Sequence, residues 1–156
     1  MRYLFGMIDY GHSFTGKQKT KIIHALATSA EVRSTDASGI AYNSGGKLHV
    51  YKRPVLGHQL PLRIPHDATV IMGHACMTTQ RNGKRNYNNH PFLGSAGLTP
   101  FALAHNGVLR NDRMLRRSLK LPRTKIETDS YVAVQLIEKS RNQHLWRGTA
   151  QDFSER

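Results

Sequence analysis

Short apolar runs alternate with polar, glycine-bearing stretches along most of the chain. Tyr3-Leu4-Phe5-Gly6-Met7-Ile8 is the first run and reads as a buried strand, followed by a polar loop from Asp9 to Gly16. Lys17 to Glu31 switches to helical spacing. Ile22, Leu26 and Ala30 share a face, Ile23 and Ala27 lie beside it, and Lys17, Lys19 and Lys21 are expected in water. Thr15 is placed to cap this helix. Ile40-Ala41-Tyr42 and Leu48-His49-Val50-Tyr51 flank the turn-rich Asn43-Ser44-Gly45-Gly46-Lys47 and predict a β-hairpin. Lys52 to Asp67 carries Pro54, Pro61 and Pro65 and reads as an irregular crossing, and Thr69 to Cys76 as a strand.

Gln80 to His90 is polar and basic, with Arg81, Lys84 and Arg85, and is expected to be a loop or lid. Phe101 to His105 reads as a strand end. Asn111 to Lys120 is expected to be a helix with Leu115 and Leu119 inward and a basic stripe of Arg113, Arg116, Arg117 and Lys120 outward. A last helix is expected over Asp129 to Ser140, capped by Thr128, with Val132, Leu136 and Ile137 inward. The pattern then dissolves, so 1–141 reads as one domain and 142–156 as a polar tail holding Trp146.

His105-Asn106-Gly107 ends the Phe101 run. Asn-Gly is a turn signal, because glycine accepts backbone angles that other residues resist. The same dipeptide can aim a side-chain amide and a backbone N–H at one point, as an oxyanion site requires. Composition adds two constraints. With 23 Lys+Arg against 10 Asp+Glu the formal net charge is +13, which favours acidic partners. The single cysteine, Cys76, has no partner for an internal disulfide, no secretory pattern opens the chain, and no apolar run approaches the roughly 18 residues of a membrane helix. A cytoplasmic protein without a membrane span is expected. The nine histidines show no metal-ligand spacing and there is no glycine-rich phosphate loop, so neither metal nor cofactor is expected.

Four stretches occur in order: Arg33 to Gly39, Gly73 to Thr79, His105 to Asn111, and Glu127-Thr128-Asp129. Over about residues 1 to 140 they resemble the glutaminase domain of class II glutamine amidotransferases, which are N-terminal nucleophile hydrolases. Phe5-Gly6-Met7 is similar to the small stand-alone members. The resemblance implies an α+β fold, a four-layer αββα sandwich of two antiparallel sheets, with the later strands missing from a chain this short. It also implies glutamine hydrolysis to glutamate and ammonia. Asn106 and Gly107 match the oxyanion hole, Asp129 the carboxylate for the glutamine α-amino group, and Arg33 a buttressing arginine. His74 and Thr79 match the Gly-His-Thr-Arg-type strand motif, and Asn89-His90-Pro91 the loop that closes over glutamine. Taken singly, Arg33 could serve only to pair with Asp36, and His74 or His105 only to satisfy backbone groups.

Two positions depart from that pattern. The family carries its nucleophilic cysteine directly after the initiator Met, with the freed α-amine as base; here the position is Arg2, a permanent cation and no nucleophile. The family's arginine for the glutamine α-carboxylate is replaced by Cys76, and a thiol cannot supply a bidentate clamp. The site is therefore expected to be inactive or severely impaired.

Three readings stay open. The chain is an altered copy whose fold outlives its chemistry. Or Arg2 and Cys76 have exchanged roles, with His74, about 7 Å along the strand, activating Cys76. Or the pocket binds an amino acid or small anion without reacting. A non-catalytic protein contacting nucleic acid weakly through the basic stripe is the alternative of another class. The sequence sets no oligomeric state.

Overall fold

The computed structural model describes residues 2–33, 36–77 and 85–142. The first half builds one antiparallel sheet from β1 (Arg2–Ile8), β2 (Ala37–Ser44), β3 (Lys47–Arg53) and β4 (Val70–Cys76), in the order β1-β4-β2-β3. Alternation sorts its side chains onto two faces. Phe5, Met7, Ile40, Tyr42, Tyr51 and Ile71 point one way, onto helix α1 (Gly16–Ser29), and with Ile23, Leu60 and Ile64 they form the main apolar core. Arg2, Leu4, His74, Cys76, Gly39 and Lys52 share the other face, by register.

That second face is covered by a two-stranded antiparallel sheet, β5 (Phe92–Ala96) and β6 (Thr99–Leu103), with β3 and β6 in contact. Helix α3 (Tyr131–Asn142) lies against β5, and the short helix α2 (Asp112–Ser118) touches α3. The order helix, sheet, sheet, helix is an α+β arrangement of two antiparallel sheets and is compatible with the expected sandwich.

The first helix begins where its sequence indicates. Thr15 Oγ1 accepts from Gln18 N (3.2 Å), and Thr15 N donates to Gln18 Oε1 (2.8 Å), a reciprocal capping box. Its inward stripe, however, is Lys19, Ile23 and Ala27, and Lys19 is fully buried instead of wet. The reason is a partner ten residues earlier. Lys19 Nζ sits 3.0 Å from Asp9 Oδ2 and donates to the carbonyls of His66 and Ala68, both at 2.6 Å. Burial would raise the Asp9 acid, but hydrogen bonds from Ser13 N and Phe14 N and the Lys19 ammonium hold it down to about 2. One ammonium thus ties the end of β1, α1 and the approach to β4 together. Lys19→Met leaves Asp9 buried without its cation. A large fall in Tm is expected by thermal circular dichroism, with Lys17→Met, an exposed neighbour, near the unaltered value.

Other expectations are corrected. α2 buries no residue; Leu115 is half-buried and Leu119 exposed. Arg116 leaves the predicted stripe and turns inward, donating to the Thr128 carbonyl (3.1 Å) and Gln135 Oε1 (3.3 Å). α3 buries Val132, Val134 and Gln135, with Leu136 and Ile137 only half-buried. Thr128 does not cap α3: its buried Oγ1 has no hydrogen-bond partner. The strand Phe92–Ala96 was not expected. Thr79, Arg81, Lys84, Trp146 and the Arg33 side chain lie outside the described residues.

Candidate functional site

Arg2 and Cys76 are directly opposed on the neighbouring strands β1 and β4. In an antiparallel pair such partners project from the same face with Cβ atoms about 4.5–5.5 Å apart. The loop after β6 and the start of α3 come over them and enclose a cleft of about 420 Å³. Arg2, Cys76, Met77, Leu109, Thr128 and Asp129 are among its walls.

The Arg2 guanidinium is the hub. Nη1 donates to the Gly107 carbonyl (2.5 Å) and to Ser130 Oγ (3.3 Å), and Nη2 lies 3.6 Å from Asp129 Oδ1. Leu109 N donates to the other Asp129 oxygen at 2.5 Å. The carboxylate therefore already holds one guanidinium and one backbone N–H. Ser130, fully buried, also hydrogen-bonds His105 Nδ1 (3.0 Å). Arg2, Gly107, Asp129 and Cys76 are thus brought together from four separate parts of the chain. Asn106 is exposed, with its neighbour Gly107 half-buried.

Gly107 has no room for a side chain: a Cβ would stand 2.5 Å from His105 Nε2, and that ring is held by Ser130. Gly107→Ala must push the imidazole off Ser130 and disturb the Arg2 contacts. A loss of about 1–3 kcal/mol is expected, as for overpacking of a tight site, read by urea denaturation.

His74 and His90 lie behind the cleft instead of lining it. Their rings stack at 4.2 Å, and His90 leans on Phe92 at 4.4 Å. Both are almost completely buried, and neither Nε2 has a hydrogen-bond partner. Burial, with the nearby Arg2 charge, drives His74 down to about 4; burial, His74 and Arg2 drive His90 down to about 2. Both rings are neutral at neutral pH. The segment Asn89-His90-Pro91, expected as a closing loop, is buried. Lys52 holds it from below, donating to the carbonyls of Asn89 (2.5 Å) and Pro91 (2.9 Å) with its ammonium 4.8 Å from the centre of the Phe92 ring. Gly39 permits this approach, since a Cβ there would meet the His90 carbonyl at 2.3 Å.

Cys76 is buried, which pushes its thiol up, against a downward pull from Arg2. A thiol raised by burial and an imidazole that resists protonation make a poor nucleophile–base pair. Among the described residues no group of His, Cys, Asp or Glu gathers that could hold a metal ion, and no helix is long and apolar enough to cross a membrane.

Sequence reasoning missed Ser130 and Lys52, and gave Glu127, inside one of the four stretches, no role of its own. Glu127 is locked to Asn88, whose Nδ2 donates to Glu127 Oε2 while Glu127 N donates to Asn88 Oδ1, both at 2.9 Å. The run Glu127-Thr128-Asp129-Ser130 at a helix start was the available signal for two of them; nothing local marks Lys52.

No protein-family model matches the chain. It is similar to enzymes named glutamine–fructose-6-phosphate aminotransferase (isomerizing). The one from Geobacillus kaustophilus is 37% identical over 114 residues, 70% of this chain and 18% of the relative. The one from Bacillus licheniformis is 36% identical over 120 residues, 74% and 19%. The one from Mycobacterium bovis is 32% identical over 131 residues, 79% and 20%. The matched part thus spans about a fifth of each relative's length.

Proposed function

We propose, from the premise that this chain carries a domain of the class II glutamine amidotransferase kind, that its cleft recognises glutamine or a related amino acid without hydrolysing it. The observation that carries this reading is the position of the Arg2 guanidinium. It stands where the family's sulfur would attack, and it engages the carboxylate that would hold the substrate α-amino group. Arg2 is in effect an internal ligand. It offers no lone pair to an amide carbon, and it competes with any incoming ammonium for Asp129. The relatives' names contain glutamine, which supports that amino acid as the first to test.

Two measurements test the reading. Ammonia release from glutamine should be undetectable with the unaltered chain. In calorimetry Arg2→Ala should bind glutamine or glutamate about tenfold more tightly than the unaltered chain, a difference of about 1.4 kcal/mol. Ammonia release by the unaltered chain would refute inactivity. Absence of binding heat from both folded chains would refute an amino-acid cleft.

A second reading rests on α2. Arg113 and Arg117 are exposed along it and Lys120 just beyond its end, a pattern suited to weak, salt-sensitive contact with a phosphate backbone. Gel shifts that persist unchanged as salt is raised would contradict that electrostatic account.

A further inference from the structure

A second concavity, of about 800 Å³, lies between the outer side of α1 and the extended segment before β4. Lys17, Thr20, Lys21 and His24 follow one another at helical spacing along its first wall, and Arg63, Ile64, Pro65 and His66 form the other. No carboxylate lines it. Lys17, Lys21 and Arg63 are exposed, and among the described residues none of them forms an ion pair. The cleft is separate from the Arg2 site. It sits at the Ile8 end of β1, and the seven-residue strand puts Arg2 about 20 Å away.

The walls are fixed to each other. Ile64 N donates to Thr20 Oγ1 (2.9 Å), Thr20 Oγ1 donates to the Gly16 carbonyl (2.7 Å), and the buried Lys19 ammonium joins α1 to His66 and Ala68. Gly16 packs so closely that a Cβ would stand 2.7 Å from the Ile64 carbonyl. Two ammonium groups and a guanidinium, with no ion-pair partner among the described residues, thus stand around one rigid concavity beside two imidazoles.

We propose that this cleft binds a chain of two or more phosphate groups. Multiple charge is required because Lys17 and Lys21 are a helical turn apart and Arg63 faces them from the other wall, so one small monoanion cannot reach all three. Phosphate oxygens accept from ammonium and from the planar guanidinium fork, which are the charged donors present. Such a chain is carried by free polyphosphates and by nucleic-acid strands alike.

The test is a titration of the full chain with inorganic triphosphate and, separately, with a fluorescent short oligothymidylate, at about 50 mM and about 200 mM salt. At least one probe should bind at the lower salt and weaken at the higher. Lys17→Ala/Lys21→Ala/Arg63→Ala should weaken it at least tenfold with an unchanged circular dichroism spectrum, and by more than Arg113→Ala/Arg117→Ala on α2 does. Binding of triphosphate alone assigns a small polyphosphate, and binding of the oligonucleotide alone or more tightly assigns a strand. The proposal is overturned if neither probe binds at the lower salt, if the α2 variant loses binding while the cleft variant keeps it, or if citrate displaces the probe as well as triphosphate does.

Discussion

Exchanging the two opposed residues, Arg2→Cys with Cys76→Arg, is expected to yield a chain that releases ammonia from glutamine. The pair faces across β1 and β4, so the exchange returns the same two side chains to the same small volume. The fold should survive with a similar Tm. A cysteine after the initiator Met would expose thiol and α-amine together once Met is removed, and an α-amine titrating near ~7.7–8.0 can take the thiol proton at neutral pH. With the guanidinium on β4, Asp129 would be released for the substrate's ammonium, and the arginine would face the substrate's carboxylate. Arg2→Cys alone lacks that clamp. A hydrogen-bonded charged partner contributes about 1.5–3 kcal/mol, so the single variant should be slower than the double by about ten- to a hundredfold at low glutamine. A folded double variant that stays silent toward glutamine, and is not labelled by an alkylating glutamine analogue, would remove the basis for the site assignment.

The second large effect is on stability in acid. His74 and His90 are held neutral in the interior, His74 at about 4 and His90 at about 2, against about 6.5 in an unfolded chain. Below pH 6.5 the unfolded chain takes up protons that the folded one refuses. The stability contributed by the neutral rings is therefore complete above pH 6.5 and is lost as pH falls toward and through 4. His74 alone should cost on the order of 3 kcal/mol between pH 7.5 and pH 4.5, and His90 acts in the same direction. Asp9, held down to about 2, adds its loss only at lower pH. Urea melts across this range would show the slope, and a His74→Phe/His90→Phe variant should largely abolish it between pH 6.5 and 4.5. An unchanged slope in that variant would place the acid sensitivity elsewhere.

Periodicity located most elements, because half-buried strands and α1 write their faces into the residue order. It stumbled where a distant partner changes what a residue is worth. Positions 19, 23 and 27 fall on one helical stripe, yet a lysine among them reads as solvated until Asp9 is seen beneath it. Phe92–Ala96 escaped notice because Gly94 and Ser95 dilute its apolar character. Gly94 is there for packing: a Cβ would stand 2.4 Å from the Phe101 ring and 2.7 Å from Val134. α2 was given a core face that its neighbours do not supply. At the cleft, Arg2, Gly107, Asp129 and Cys76 do lie together, whereas His74 and His90 proved to be interior rings. The contribution of Ser130 depends on Arg2 and His105, both far from it in sequence, and could not be read locally.

The seven-step ladder between β1 and β4 has a consequence for how this chain tolerates change. Sheet faces repeat every two residues, so one amino acid inserted between Tyr3 and Phe5 would carry the guanidinium through to the helix side and aim Tyr3 at Asp129 instead. Insertions of two would restore the facing but displace it by a full repeat. Near this end of the protein, substitutions are therefore forgiven more readily than indels, and lineages carrying this cleft should differ there in residue type far more than in length.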